Sequence, residues 1–402
     1  MGGQRVYFGR ALYEDGTPIA RASVVVARGT APTPEIAKIT DEQGRFALGL
    51  PEGEFELVVR QRARTWRARL VTSLLSSHYV IRESTSTAAE GSMTTSVSSE
   101  SSEGSDELAL ASVSNDAPAR GREFATALPL PTVGGEGAKV DAPGLSARVL
   151  LVKPDAPRKP RAPKRVFETV LGRDERTRIL DVEDAPWRMI ASLVIHDRFG
   201  GTSVGTGWFA GPHTLITAGH CVHLPEMGGW ARSIDVIVGR NRDAQPIATL
   251  TSKRFSSTEK WMREQDADFD YAAIHLDPAE AEAVTAKTGW FSTAVLGDDA
   301  LDAKAVNVSG YPGDKGDPIG CEQWFHSKHV VHVAPLRVYY DMDTFGGQSG
   351  SPVWLEADEG RKVIGIHAYG ADGAQHLGLR ANSGPRITAD VLALIKSWIA
   401  KR

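Results

Sequence analysis

Apolar and polar residues alternate over short stretches along most of this chain, with Gly, Pro and Asp clusters between them. A period of two with that punctuation predicts many short strands. In the first 72 residues the strands fall at 5–9, 22–27, 44–50, 54–60 and 66–71. Turns separate them at Asp15-Gly16-Thr17-Pro18, Asp41-Glu42-Gln43-Gly44 and Pro51-Glu52-Gly53. Further strands are predicted at 189–195, 214–217, 234–238, 271–276 and 363–367. The period changes only at the end. Over 389–400, Val391, Leu392, Leu394, Ile395, Trp398 and Ile399 fall on one helical face.

Between the two strand-rich regions the pattern lapses. From Ser84 to Ser105, 13 of 22 residues are Ser or Thr, too polar to offset the entropy of ordering. A basic Pro-rich run follows at 153–165. The expected organisation is therefore a small β-sandwich over 1–80, a disordered linker over 81–165, and a β domain closed by a helix over 166–402. A flexible linker of this length spans on the order of 50 Å end to end. Its Glu100, Glu103, Glu107 and the basic residues from Arg158 to Arg165 would be within reach of a site on the same chain.

Composition narrows the function. With 402 residues the chain exceeds one ordinary core, and its 40 glycines suit turn-rich β structure. A net charge of −4 argues against a nucleic-acid partner. No apolar run reaches the roughly 20 residues of a membrane helix. The N-terminus lacks an apolar signal segment, so the expected compartment is cytoplasmic, with secretion as the alternative. Cys221 and Cys321 are the only cysteines, and free thiols are expected over a single bridge.

Three stretches carry chemistry. Gly346-Gly347-Gln348-Ser349-Gly350-Ser351-Pro352 places a serine in a glycine-rich turn, where backbone amides can approach a carbonyl. Leu215-Ile216-Thr217-Ala218-Gly219-His220 runs a strand into a histidine. In Asp266-Ala267-Asp268-Phe269-Asp270-Tyr271, Asp270 abuts the apolar strand and would need a partner when buried, whereas Asp266 and Asp268 read as solvated. A nucleophile, a base and an orienting carboxylate are what acyl transfer requires. A metal reading of His220, Cys221 and His223 lacks further converging ligands, so neither metal nor cofactor is expected.

In the order His, Asp, Ser these stretches resemble the chymotrypsin-like serine proteases. With Gly205-Thr206-Gly207-Trp208-Phe209, Ser309-Gly310-Tyr311-Pro312-Gly313 and Val363-Ile364-Gly365-Ile366-His367 they resemble the V8-like, glutamyl endopeptidase branch. Gly219 departs from the residue common before that histidine. The resemblance implies a two-barrel mainly β fold and a serine endopeptidase acting on protein or peptide substrates. His220, Asp270 and Ser349 would be the triad, with Gly347 and Ser349 amides as the oxyanion hole. Thr344 and His367 would line a pocket for Glu, or Asp, whereas Asp343, six residues before Ser349, would select Arg or Lys. Gln348 stands where trypsin-type enzymes carry the Asp that receives a freed N-terminus, so that route of zymogen activation is closed. A maturation cut after Glu168 is a further expectation, and a regulated protease or a silent binding scaffold are the alternatives.

The N-terminal stretches Asp15-Gly16-Thr17-Pro18-Ile19, Thr40-Asp41-Glu42-Gln43-Gly44-Arg45-Phe46 and Glu54-Phe55-Glu56-Leu57 resemble the carboxypeptidase regulatory-like, transthyretin-like fold. Such modules bind partners or act as spacers, so a protein partner is the expectation for residues 1–80.

Overall fold

β-Branched and aromatic residues at alternate positions fold into strands around separate apolar cores. The computed structural model describes residues 5–31, 33–34, 36–62, 64–72, 78–83, 112–115, 148–152, 170–171, 173–371, 374 and 377–401. The Ser/Thr-rich run, the Pro-rich run, their Glu and Arg positions and the bond after Glu168 lie outside those residues.

Near the N-terminus, strands β1 (Arg5–Leu12), β2 (Ser23–Gly29), β3 (Ala37–Ile39), β4 (Arg45–Leu50), β5 (Glu54–Gln61), β6 (Arg64–Val71) and β7 (His78–Glu83) form two layers. One layer runs β4-β1-β7 and the other β6-β5-β2-β3. Tyr7, Phe46 and Tyr79 from the first meet Phe55, Leu57 and Trp66 from the second in a shared core. Two short strands arise within the stretch expected as linker. Strand β8 (Ser112–Ser114) pairs with a later barrel strand, and β9 (Arg148–Val152) runs parallel to β7.

After β10 (Thr177–Arg178), β11 (Ile190–His196), β12 (Thr202–Gly211) and β13 (Thr214–Thr217) lead into the short helix α1 (Gly219–Val222). A small pair, β14 (His223–Leu224) and β15 (Gly229–Trp230), precedes β16 (Ser233–Val238), β17 (Ala248–Ser252) and β18 (Arg254–Thr258). Helix α2 (Glu259–Glu264) and β19 (Ala272–His275) complete the first barrel, whose neighbours pair antiparallel. Helix α3 (Pro278–Thr288) connects to the second, made of β20 (Ser292–Thr293), β21 (Ala305–Gly310), β22 (Trp324–Val333), β23 (Arg337–Tyr340), β24 (Pro352–Ala357), β25 (Gly360–Ile366) and β26 (Asn382–Pro385). Helix α4 (Asp298–Leu301) lies between β20 and β21.

Helix α5 (Ala389–Ile399) closes the chain on the face read from its period. Thr388 caps it by accepting from the Val391 amide, and Val391, Leu394, Ile395 and Trp398 are buried. The mainly β, two-barrel expectation therefore holds. One connection lay beyond any pattern in the sequence. Strand β3 pairs with β12, so the N-terminal layer and the first barrel share one twelve-stranded sheet.

Candidate active site

Strand β13 ends at Thr217, and Ala218 leads into α1, which carries His220 inward. The turn fits because residue 219 is glycine. A Cβ there would stand 2.7 Å from Trp261 Cδ1 and 2.9 Å from Asp270 Oδ1. The departure noted in the sequence is thus what lets Trp261 and Asp270 close around His220.

Of the three neighbouring acids, Asp270 alone is fully buried beside the histidine. Its Oδ2 lies 2.7 Å from His220 Nδ1, and its Oδ1 accepts the His220 backbone N–H at 2.8 Å. Asp266 caps a short turn by accepting from the Asp268 amide, and Asp268 pairs with Arg337 at 2.8 Å. Burial disfavours a charged ring at His220, but the Asp270 carboxylate outweighs it, with help from Cys221. The pKa is raised to about 10. Trp261 and Tyr369 stand edge-on to the ring at centroid distances of 6.2 and 6.5 Å. Among the described residues, His220 Nε2 is buried without a hydrogen-bond partner.

Ser349 sits in a turn clamped from both barrels. Its carbonyl accepts from the Thr206 amide at 2.9 Å and lies 3.7 Å from Cys221 Sγ, next to His220. The Gln348 amide donates to Phe345, Gly350 to His367 and Ser351 to Gln348, committing these amides within the fold. Gly347 has φ +107°, and a Cβ there would lie 2.7 Å from the Tyr311 carbonyl and 2.8 Å from the Gly313 nitrogen. Gln348 accepts the Phe345 amide at 3.0 Å and an Arg176 N–H at 3.3 Å. Arg176 is itself buried and paired with Asp314 at 2.6 Å and Asp174 at 2.8 Å. A side-chain cation therefore meets the loop at Gln348.

Beyond Ser349, His367 and Thr344 are both buried. His367 Nδ1 lies 2.6 Å from the Tyr340 hydroxyl, and Asn382 Nδ2 donates to Thr344 Oγ1 at 2.8 Å. Asp343 does not share this arrangement. Its carboxylate accepts the Leu171 amide at 2.5 Å and the Glu175 amide at 2.9 Å, with His326 Nδ1 3.6 Å away. The Asp343 carboxylate thus ties down the segment that leads to β10. Glu175, His326 and Asp343 place ligand-type atoms within 4.8 Å of one another, but Glu175 pairs with Lys328 at 2.7 Å and Asp343 is taken by amides. His223 meets the Trp230 ring edge-on at a centroid distance of 5.3 Å, and Cys221 and Cys321 are free and buried.

Sequence reading missed Trp261, Tyr369, Tyr340, Asn382 and the role of Arg176. Trp261 arrives from helix α2, and Tyr340 and Asn382 from two separate strands.

Known proteins resemble this chain over the region that holds the site. A model of the trypsin-like peptidase domain matches residues 205–366. A glutamyl endopeptidase of Bacillus licheniformis is 33% identical over 239 residues, covering 58% of this chain and 69% of its own. A Bacillus subtilis protein named extracellular metalloprotease is 33% identical over 232 residues, covering 57% and 69%. The solved structure of a Glu endopeptidase in complex with MPD matches with a TM-score of 0.50 at 25% identity, over 58% of this chain and all of that one.

Proposed function

Because this chain belongs to the trypsin-like peptidases, as a serine endopeptidase related to the glutamyl endopeptidases, we propose that Ser349, His220 and Asp270 perform its chemistry and that it cuts after glutamate. In its neutral form, which becomes populated as pH rises toward its raised pKa, His220 takes the Ser349 proton as the hydroxyl attacks the scissile carbonyl, then gives it to the leaving amine. Asp270 fixes the imidazole tautomer and stabilises the imidazolium. The Gly347 and Ser349 amides bind the oxyanion, and losing one such donor costs about 3–4 kcal/mol in the transition state. Water then hydrolyses the acyl-enzyme.

The observation that carries this reading is the double grip of Asp270 on His220, through Nδ1 and the backbone amide. Two hydrogen bonds to one buried carboxylate set both the ring and the turn beneath it. For the pocket, support comes from His367 and Thr344, whose imidazole and hydroxyl suit a carboxylate side chain. The Tyr340 hydroxyl orients the ring of His367, and Asn382 orients Thr344. With Asp343 engaged by two amides, cutting after Arg or Lys loses its support.

Protein and peptide substrates follow from the family. For compartment, the relative named extracellular favours secretion over a cytoplasmic placement. Among the described residues no helix is long and apolar enough to cross a membrane.

Mass spectrometry of a denatured protein mixture tests the reading. Wild-type enzyme is expected to cut after Glu, Ser349→Ala to cut nothing, and His367→Ala to cut at least tenfold more slowly. Cuts after Arg or Lys would move the pocket elsewhere.

A further inference from the structure

The edge of β12 nearest Ser349 is occupied by the chain's own N-terminal region. Strand β13 covers β12 only from Gly211 back to Trp208, while β3 covers the other end, with Ala37 opposite Val204, Lys38 opposite Ser203 and Ile39 opposite Thr202. The pairing is antiparallel. Moving backwards along β3 from Ala37 therefore leads toward Gly205 and Thr206, and the Thr206 amide is the one bonded to the Ser349 carbonyl. An extended peptide advances about 3.3 Å per residue, so one or two residues bridge that gap. Ile36, the next residue, joins the buried cluster that contains Cys221 and Val222. The residue before it in sequence is a glutamate, Glu35.

The contact reaches the loop holding the proposed oxyanion donors. Val25 and Ala37 pack with Val204 and Phe345. A Cβ on Gly346 would meet Val25 Cγ1 at 2.8 Å, and one on Gly313 would meet the Ala37 methyl at 2.7 Å. Arg60 donates to the Asp314 carbonyl at 3.0 Å, and Asp314 is the partner of Arg176 under Gln348. Lys38 and Glu226, each 4% exposed, form an ion pair at 3.7 Å. A buried pair adds little net stability, but it fixes register because breaking it strands a charge. Beneath this cover Ser349 and His220 are both 0% exposed.

We propose that the N-terminal β module is an intramolecular inhibitor, in which β3 lies on the edge of β12 as the leaving-group half of a substrate would. Main-chain pairing supplies the affinity, as in strand addition to an open sheet edge. Tethering makes the inhibition concentration-independent, since the segment competes at an effective concentration in the millimolar range. This inference rests on the protease reading above.

The test uses the full-length chain and a peptide with Glu at the cut and three residues on its leaving side. Lys38→Glu puts two like charges in the buried site and is expected to raise kcat/KM at least tenfold. Adding Glu226→Lys restores opposite charges, and the double variant is expected to return to the wild-type rate. If Lys38→Glu does not fold, Lys38→Ala is read in its place, with the same direction expected. Equal rates in wild type and the opened variants, with Ser349 labelled equally by a fluorophosphonate, overturn the inhibition and leave the protease standing. Neither turnover nor labelling in any chain overturns the protease reading, and the inhibition with it.

Discussion

Asp270 and Asp343 are both buried aspartates beside a histidine, in the first and second barrels, and they are put to different uses. Asp270 turns one oxygen to the His220 ring and the other to the His220 backbone amide, with the Tyr369 hydroxyl a further hydrogen-bond partner. Asp343 spends its oxygens on the amides of Leu171 and Glu175, with His326 as a more distant neighbour. A buried carboxylate must be satisfied, and what satisfies it decides its role. Where the partner is an imidazole that can gain a proton, the carboxylate tunes a base. Where the partners are amides, it pins a chain segment, here the one that delivers Arg176 to Gln348.

The largest effect should come from Asp270→Asn. Loss of the carboxylate in a serine protease triad drops kcat roughly 10⁴-fold, and that fall is expected here in steady-state assays. The same variant tests the pH linkage. His220 is raised to about 10 from an ordinary value near 6.5, so it binds its proton more tightly when folded. The pair's contribution to stability is then full below about pH 6.5 and is lost as pH rises through about 10. Melting temperatures across that window should fall for wild type and stay flatter for Asp270→Asn; parallel curves would sink the linkage.

Gly219→Ala should come next. The added methyl would press Trp261 and Asp270 from within 3 Å, shifting the imidazole. A displacement of this kind is expected to cost on the order of 10²-fold in kcat, with the chain still folded by circular dichroism. Activity equal to wild type would mean the site has slack that the packing does not reveal.

Asp343→Asn should show the smallest catalytic change. An amide keeps one acceptor but faces the other backbone N–H with a donor, at a cost of about 1–3 kcal/mol in denaturant unfolding. Preference for the residue at the cut should not move. If it did, Asp343 would belong to the pocket after all, and the contrast with Asp270 would collapse.

Much of this was legible in order along the chain. His220, Asp270 and Ser349 stand within local stretches whose strand, turn and glycine chemistry can be read without neighbours. The α5 face and most strands followed from periodicity, since burial of one face imposes a repeat on the residues themselves. Asp343 was not separable from a pocket acid by spacing alone, because its offset from Ser349 says nothing about where its carboxylate turns.

What the tertiary structure alone decided are the contacts between distant segments. Tyr340 and Asn382 reach His367 and Thr344 from separate strands, and Arg176 reaches Gln348 across 172 positions. Likewise Lys38 meets Glu226, and β3 meets β12. An edge strand's exposed amides accept any extended partner, so sequence can mark a strand without naming the strand beside it. Local patterns fix what each segment can become; only the closed fold brings together the groups that satisfy one another.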